Sequence, residues 1–209
     1  MHRHHRQPGL AEAALLAGGY DLAVPDEGRP SPVRHIDRDL SAATRVRARG
    51  PEDVPALVQV LTEQQPGSGY PLRWPLPFPV QRFIVRSYEE MAWVAERDGH
   101  LLGHVLVGRV DDDETAAIIT AETGEAELAI VSVLFVAQTA RGQGIGKLLL
   151  DTAVTWAREH GRMPVLDVVP KHREALQFYR HLGWSDVGCI RPEWLPEDHD
   201  DVVLMALRP

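Results

Sequence analysis

The chain has 209 residues, enough for one domain with an extension, and 44% of them are hydrophobic, which supports a substantial core. A formal net charge of −8 argues against a general nucleic-acid-binding protein, and no apolar run approaches the ~20 residues of a membrane span. The single cysteine, Cys189, excludes an internal disulfide framework and suits a reducing cytoplasm. Because it falls within a predicted strand, we interpret it as a small core residue.

The first 42 residues are predicted to form a flexible N-terminal extension, because they are rich in glycine, proline and charge. Their basic start and the short apolar stretch after it faintly resemble a signal peptide. However, Glu12 interrupts the apolar stretch, and no small-residue cleavage site follows. We therefore expect residues 43–209 to form the folded domain.

The first half of this domain is predicted to contain a strand, a helix and a hairpin. Gly50-Pro51-Glu52-Asp53 is a strong helix start, because proline fits the first helical position and acids favour the first turn. Strands are expected at 44–48, 91–96 and 101–110, a loop or broken helix at 66–79, and a poorly specified connection at 111–124.

The second half alternates strands with helices. The apolar patterns predict strands at 127–136, 164–169, 185–190 and 202–207, with helices at 145–161 and 171–182. The resulting order, β-α-(loop)-β-β-β-α-β-α-β-β, predicts an α/β (α+β) fold with one central sheet and helices on both faces.

A glycine-rich segment, Arg141-Gly142-Gln143-Gly144-Ile145-Gly146-Lys147, follows the buried strand that ends at Val136. A strand, a tight turn and a helix start in this order direct unpaired N–H groups and the positive end of a helix dipole at one spot, where a phosphate can bind. A P-loop is excluded because Leu148 follows Lys147. A dinucleotide fingerprint is excluded because Lys147 stands where its third glycine is needed.

This Arg-Gly-x-Gly-x-Gly pattern resembles the acyl-CoA pyrophosphate loop of the GNAT superfamily of N-acetyltransferases. The segment from Ala175 to Trp184 is similar to the family's second hallmark, Ala-x-x-Phe-Tyr followed by Leu-Gly-Phe/Trp. The resemblance covers residues 44–207. It implies a mixed, mostly antiparallel sheet whose strands splay apart to form a cofactor cleft.

The resemblance implies that acetyl-CoA is the co-substrate and that no metal is involved. Carried over by position, it places the pyrophosphate on the N–H groups of Gln143, Gly144 and Gly146, with a charge-assisted contact from Arg141. A bulge near residues 134–136 would leave backbone groups unpaired for the pantetheine. His172 stands where many members have an asparagine, and it either bonds the pantetheine or faces solvent near the helix start. The implied cofactor-binding residues are Leu134, Phe135, Val136, Arg141, Gly142, Gln143, Gly144, Ile145, Gly146, Lys147, His172 and Phe178.

The chemistry implied is direct transfer of acetyl from acetyl-CoA to a primary amine of a small molecule in a ternary complex. Tyr179 would protonate the departing thiolate, or else only pack beside Phe178 or hydrogen-bond CoA. A backbone N–H, expected at Val136, would stabilise the oxyanion. Glu127 is the nearest match to the family's general base, acting through a water relay, or else it is an acid on a solvated strand end.

The acceptor site would be bordered by residues 70–78 and 191–201, and the acids of the second segment would attract a cationic amine. A protein N-terminus or lysine is a different substrate class that the sequence leaves open. So is a non-catalytic acyl-CoA-binding sensor or regulatory module. We expect a cytoplasmic protein with no nucleic-acid or membrane partner, and the sequence is compatible with a homodimer.

Overall fold

The computed structural model describes residues 43–209, so the predicted flexible extension lies outside the described residues. Among those residues, the strands are β1 (Arg45–Ala48), β2 (Glu89–Arg97), β3 (His100–Gly108), β4 (Leu128–Val136), β5 (Met163–Val168), β6 (Ser185–Ile190) and β7 (Val202–Ala206). The α-helices are α1 (Val54–Ser68), α2 (Gln81–Ile84), α3 (Asp113–Thr123), α4 (Ile145–Glu159) and α5 (Arg173–His181). Short 3₁₀ turns cover Pro51–Asp53 and Gln138–Ala140.

The strands form a single seven-stranded sheet in the order β1-β2-β3-β4-β5-β7-β6. All neighbouring strands are antiparallel apart from β4 and β5, which are parallel. The predicted fold class, a mixed and mostly antiparallel sheet, is therefore confirmed.

The parallel pair separates soon after it begins. Residues Leu128–Ile130 of β4 pair with Met163–Val165 of β5, and no pairing follows. β4 nevertheless continues to Val136 and β5 to Val168. The two strands thus splay apart and leave a gap, which is the cleft expected from the sequence.

Helices cover both faces of the sheet. On one face α4 packs so closely on β3 that a Cβ at Gly103 would lie 2.9 Å from Leu149 Cδ1, and Trp156 meets Trp93 edge-on at 6.2 Å. On the other face α1 packs against β3 and β4 through its buried residues. No helix within residues 43–209 has the length and apolar character needed to cross a bilayer.

The helix α3 corrects the prediction of a poorly specified connection at 111–124. Asp112 caps this helix, since its Oδ2 accepts a 2.7 Å hydrogen bond from the Thr115 N–H, and Gly124 ends it in a left-handed conformation with φ 78°. Both end signals are present in the sequence. The apolar stripe between them is weak, because Thr115 and Ile119 are the buried positions.

Three smaller predictions also need correction. Helix α1 continues through Pro66 to Ser68, so the loop or broken helix predicted at 66–79 starts later than expected. Helix α2 was not predicted. Cys189 is exposed rather than part of the core, because β6 is an edge strand and has a register shift between Asp186 and Gly188.

Candidate active site

The glycine-rich loop between β4 and α4 forms an open anion-binding surface. Gly142 and Gly144 adopt left-handed conformations, with φ 72° and 77°, which glycine tolerates best. Gly144 is the N-cap of α4, and no side chain caps the helix there, so its first N–H groups are available for a ligand. A Cβ on either glycine would meet no heavy atom within 4 Å. The loop therefore has the space and polarity that a pyrophosphate requires.

Three cationic side chains surround this loop, each held by a protein partner. Arg141 Nη2 donates to Gln64 Oε1 of α1 at 3.0 Å, and burial lowers the pKa of its guanidinium. Lys147 forms an exposed ion pair with Asp151, four residues further along α4.

The third cation, Arg97, was missed in the sequence. Its Nη1 reaches across from the end of β2 and donates to Gln143 Oε1 at 2.9 Å, while its Nε and Nη2 donate to Thr44. Arg97 is the last residue of β2, far from the glycine loop in the sequence, so no local pattern indicated its position.

A β-bulge lies in β4 at the edge of the gap. Leu106 of β3 is opposite Ser132, but His104, two residues earlier, is opposite Phe135, so β4 has one extra residue here. Val133 takes φ 50°, an outlier for a β-branched residue. The bulge was expected near residues 134–136 and is found slightly earlier, at Val133 and Leu134.

Beyond the bulge, Val136 directs its backbone into the gap. The Ala137 N–H donates to Leu102 O at 2.8 Å, and Val136 is opposite Gly103. Hydrogen-bonded and non-hydrogen-bonded pairs alternate in an antiparallel ladder. The N–H and C=O of Val136 therefore point away from β3, towards the space that β5 has left.

Tyr179 on α5 is completely buried. Among the described residues its Oη has no hydrogen-bond partner, while its ring meets Phe178 and Trp184 edge-on at 5.5 and 5.9 Å. Burial raises the pKa of Tyr179 far above its usual range, and the nearby charge of Asp167 adds to the effect. The phenol thus remains a protonated donor across the neutral range.

His172, which precedes α5, is buried with 6% of its surface exposed. The alternative that it faces solvent is therefore wrong. Its ring meets that of Tyr70 edge-on at 6.4 Å, and Tyr70 comes from the predicted acceptor segment. The structure thus brings the start of α5 and the loop after α1 together.

A buried polar group at the start of the gap was also missed. Asp167 on β5 is completely buried, two residues after the last pair with β4, Ile130 with Val165. Extending that register would bring Ser132 opposite Asp167. The Ser132 hydroxyl lies 3.1 Å from the Tyr88 hydroxyl, and burial, with a contribution from the Asp167 charge, raises the pKa of Tyr88. No motif in the sequence links these three positions.

Comparison with known proteins identifies the family. A family model described as the Acetyltransferase (GNAT) family matches residues 55–184, more than half of the chain. The chain belongs to this family.

An uncharacterised N-acetyltransferase of Methanocaldococcus jannaschii is 34% identical to this chain over 70 residues, which cover 33% of this chain and 30% of the relative. The chain thus matches about a third of that relative's length.

Solved structures share the fold at low identity. NAA60 of Arabidopsis thaliana in complex with acetyl-CoA superposes with a TM-score of 0.57 and 21% identity, over 78% of this chain and 97% of that one. The ribosomal-protein-alanine N-acetyltransferase of Brucella melitensis gives a TM-score of 0.56 and 20% identity, over 78% and 98%.

Glu127, the base implied by the GNAT resemblance, is exposed and lies just before the first residue of β4. It precedes Val133 by six residues, which corresponds to about 20 Å along an extended strand. The structure does not bring Glu127 together with the bulge. Asp167, by contrast, lies at the gap, two residues beyond the last pair of β5 with β4.

The segment 191–201, expected to border the acceptor site, is folded around Arg191. Its guanidinium binds the Asp201 carboxylate and donates to the carbonyl oxygens of Glu197 and His199 at 3.0 Å. Asp198 and His199 form a second ion pair at 3.0 Å when the imidazole is protonated. The loop begins where β6 ends. It therefore lies at the same end of the sheet as the C-terminal ends of β4 and β5.

Proposed function

We propose that this GNAT protein transfers an acetyl group from acetyl-CoA directly to the primary amine of a small molecule. The observation that carries the proposal is the alignment of two features: the open loop at Gly142 and Gly144, and the gap into which Val136 directs its N–H. The first suits the pyrophosphate of CoA. The second suits an extended pantetheine arm that continues the ladder of β4.

The reaction needs a proton acceptor for the incoming amine, since an alkylammonium with a pKa near ~10 is not a nucleophile at neutral pH. We assign this role to Asp167, because it lies at the gap near Ser132 and Tyr88, whereas Glu127 lies at the far end of β4. The amine then attacks the thioester carbonyl, and the Val136 N–H stabilises the tetrahedral oxyanion. Collapse of this intermediate breaks the C–S bond. Tyr179 supplies a proton to the thiolate, and the second proton that the attacking nitrogen loses as the amide forms restores the phenol.

A small acceptor is favoured by the packing of the loop after α1. A protein substrate would need an open groove at residues 70–78. Instead, Tyr70 and Pro71 are buried, and the Tyr70 ring packs edge-on against Phe83 of α2 at 5.6 Å. The carboxylates of the 191–201 segment favour a cationic amine.

Calorimetric titration of acetyl-CoA into the purified protein tests the cofactor assignment. We expect binding in the micromolar range that is lost in Gly144→Glu, because the added carboxylate and the Cβ strain both act at the phosphate site. Gly124→Glu is the matched control, since Gly124 has nearly the same backbone angle, φ 78° against 77°, and equally open surroundings. Failure of the unaltered protein to bind acetyl-CoA would overturn the proposal.

Release of CoA thiol in the presence of an amine library then separates the enzyme from a non-catalytic acyl-CoA sensor. Small primary amines should give turnover, and a peptide N-terminus should give less. Binding of acetyl-CoA without turnover by any amine or peptide would favour the sensor.

A further inference from the structure

A chain of buried and partly buried polar side chains runs from β2 to the bulge of β4. Glu89 Oε1 forms a 2.6 Å ion pair with Arg49 Nη2. Arg49 Nη1 lies 3.1 Å from His104 Nε2, and His104 Nδ1 lies 2.9 Å from the carbonyl oxygen of Val133. His104 is completely buried, and the Arg49 side chain is 8% exposed. The mechanism proposed above uses none of these three side chains.

The hydrogen-bond partners define which nitrogen of His104 carries the proton. Arginine can only donate, so Nε2 must accept from Arg49. Nδ1 therefore carries the hydrogen and donates it to Val133. Burial lowers the pKa of His104 to about 3, so the ring is neutral throughout the working pH range.

The carbonyl that receives this hydrogen bond belongs to the residue with the unusual backbone. Val133 has φ 50°, which is costly for a β-branched residue and persists only where its surroundings hold it. The same histidine ring stacks on Phe135, the residue where regular pairing resumes, at a centroid distance of 5.4 Å. His104 thus contacts both sides of the bulge.

We propose that His104, oriented by Arg49 and Glu89, is a positioning residue that holds the bulge of β4 and so directs the Val136 N–H into the cofactor cleft. It acts through the backbone and not on the reacting atoms. The inference depends on the proposed function only in assigning acetyl-CoA to the cleft.

Three substitutions separate the hydrogen bond from the volume of the ring. His104→Asn keeps an N–H at the position of Nδ1 but leaves a small cavity. His104→Gln moves the amide one bond further, towards Arg49. His104→Phe keeps the ring and its stacking on Phe135 but has no donor. A cavity control remote from the bulge is Ile119→Ala, because Ile119 is 1% exposed on α3.

Acetyl-CoA affinity is measured by calorimetry. We expect the Phe and Gln proteins to bind acetyl-CoA about tenfold more weakly, which corresponds to one buried hydrogen bond. The Asn and Ile119→Ala proteins should remain within about twofold of the unaltered protein, although their cavities lower the melting temperature. A purely structural role would instead make the loss of affinity follow the loss of stability.

Hydrogen exchange of residues 130–137 without any ligand provides a second measurement. Faster exchange in the Phe and Gln proteins but not in the Asn protein is expected, and this holds whether or not acetyl-CoA is the ligand. Unchanged exchange and affinity in the Phe and Gln proteins would overturn the inference. Equal losses in the Asn and Phe proteins would overturn it as well. If the Phe protein does not fold, the comparison of Gln with Asn decides.

Discussion

Removing the Tyr179 hydroxyl should change stability and activity in opposite directions. This O–H is completely buried and, among the described residues, has no hydrogen-bond partner. A buried polar group without a partner costs about 1–3 kcal/mol. Tyr179→Phe removes that cost with little change in shape. We therefore expect the free energy of unfolding of the ligand-free protein to rise by about 1 kcal/mol.

Tyr88→Phe is a matched control for the same chemical change. The Tyr88 hydroxyl is buried too, but it is hydrogen-bonded to Ser132 at 3.1 Å. Its removal leaves the serine without this partner and should cost about 1 kcal/mol. Urea denaturation of the two variants beside the unaltered protein gives both values. If the free energy of unfolding rose in both variants or fell in both, the distinction between a hydrogen-bonded phenol and one without a hydrogen bond would be refuted.

Under the proposed mechanism, turnover should fall in Tyr179→Phe because the departing thiolate would lose its proton donor. Loss of a general acid costs about 10²–10⁴-fold in rate. The assay is thiol release at saturating acetyl-CoA, and the Kd for acetyl-CoA should change by much less than the rate. A variant that is more stable and equally active would show that Tyr179 only packs beside Phe178.

The pH dependence of stability gives a third test of Tyr179. Its pKa is raised in the folded state, so above the unfolded value of ~10 the unfolded chain loses a proton that the folded chain keeps. The contribution of Tyr179 to stability is therefore constant below that pH. Above it, the free energy of unfolding decreases. The decrease should be smaller in Tyr179→Phe, as measured by urea denaturation between neutral and alkaline pH.

Three further changes test other parts of the site and fold. Arg97→Gln should weaken acetyl-CoA binding by about fivefold and reduce its salt dependence, because a cation beside the glycine loop is lost. Calorimetry measures this binding, and Arg45→Gln at the same end of the sheet serves as the control. Asp167→Asn should lower kcat by about 10²-fold or more, whereas Glu127→Gln should leave both kcat and its pH profile unchanged; the reverse result would restore Glu127 as the base. Asp112→Ala should cost about 1 kcal/mol in thermal unfolding through loss of the α3 cap, and equal stability would contradict the capping argument.

The sequence predicted the parts of the fold whose determinants are local. Apolar runs were sufficient to predict the hairpin strands, and the turn between them forms at Asp98 and Gly99, both of which have a positive φ. The helix α3 was missed because only its ends carry a signal. A short helix that packs through Thr115 and Ile119 has too narrow an apolar stripe to be detected by periodicity.

The candidate site was only partly predictable, for a physical reason. The glycine loop is recognisable because its backbone conformation requires glycine at fixed positions. Tyr179 is recognisable because it falls within the segment that resembles the family's second hallmark. Arg97, His104 and Asp167 come from separate strands, and they reach the glycine loop, the bulge and the gap, respectively, only after the sheet has formed. Their roles depend on register, and a register cannot be read from one strand alone. The bulge was placed slightly too late for the same reason.

The distribution of charge across the site favours direct transfer in a ternary complex over a ping-pong mechanism, in which the enzyme itself would carry the acetyl group between the two substrates. Arg97, Arg141 and the start of α4 present positive charge to the donor side, although the whole chain carries a net charge of −8. The 191–201 segment presents carboxylates at the same edge of the sheet, where a cationic acceptor would arrive. An anionic donor and the proposed cationic amine would therefore be attracted to different surfaces and would not compete. We accordingly expect each substrate to leave the Kd of the other nearly unchanged, and initial-rate plots should intersect. Parallel plots would refute direct transfer.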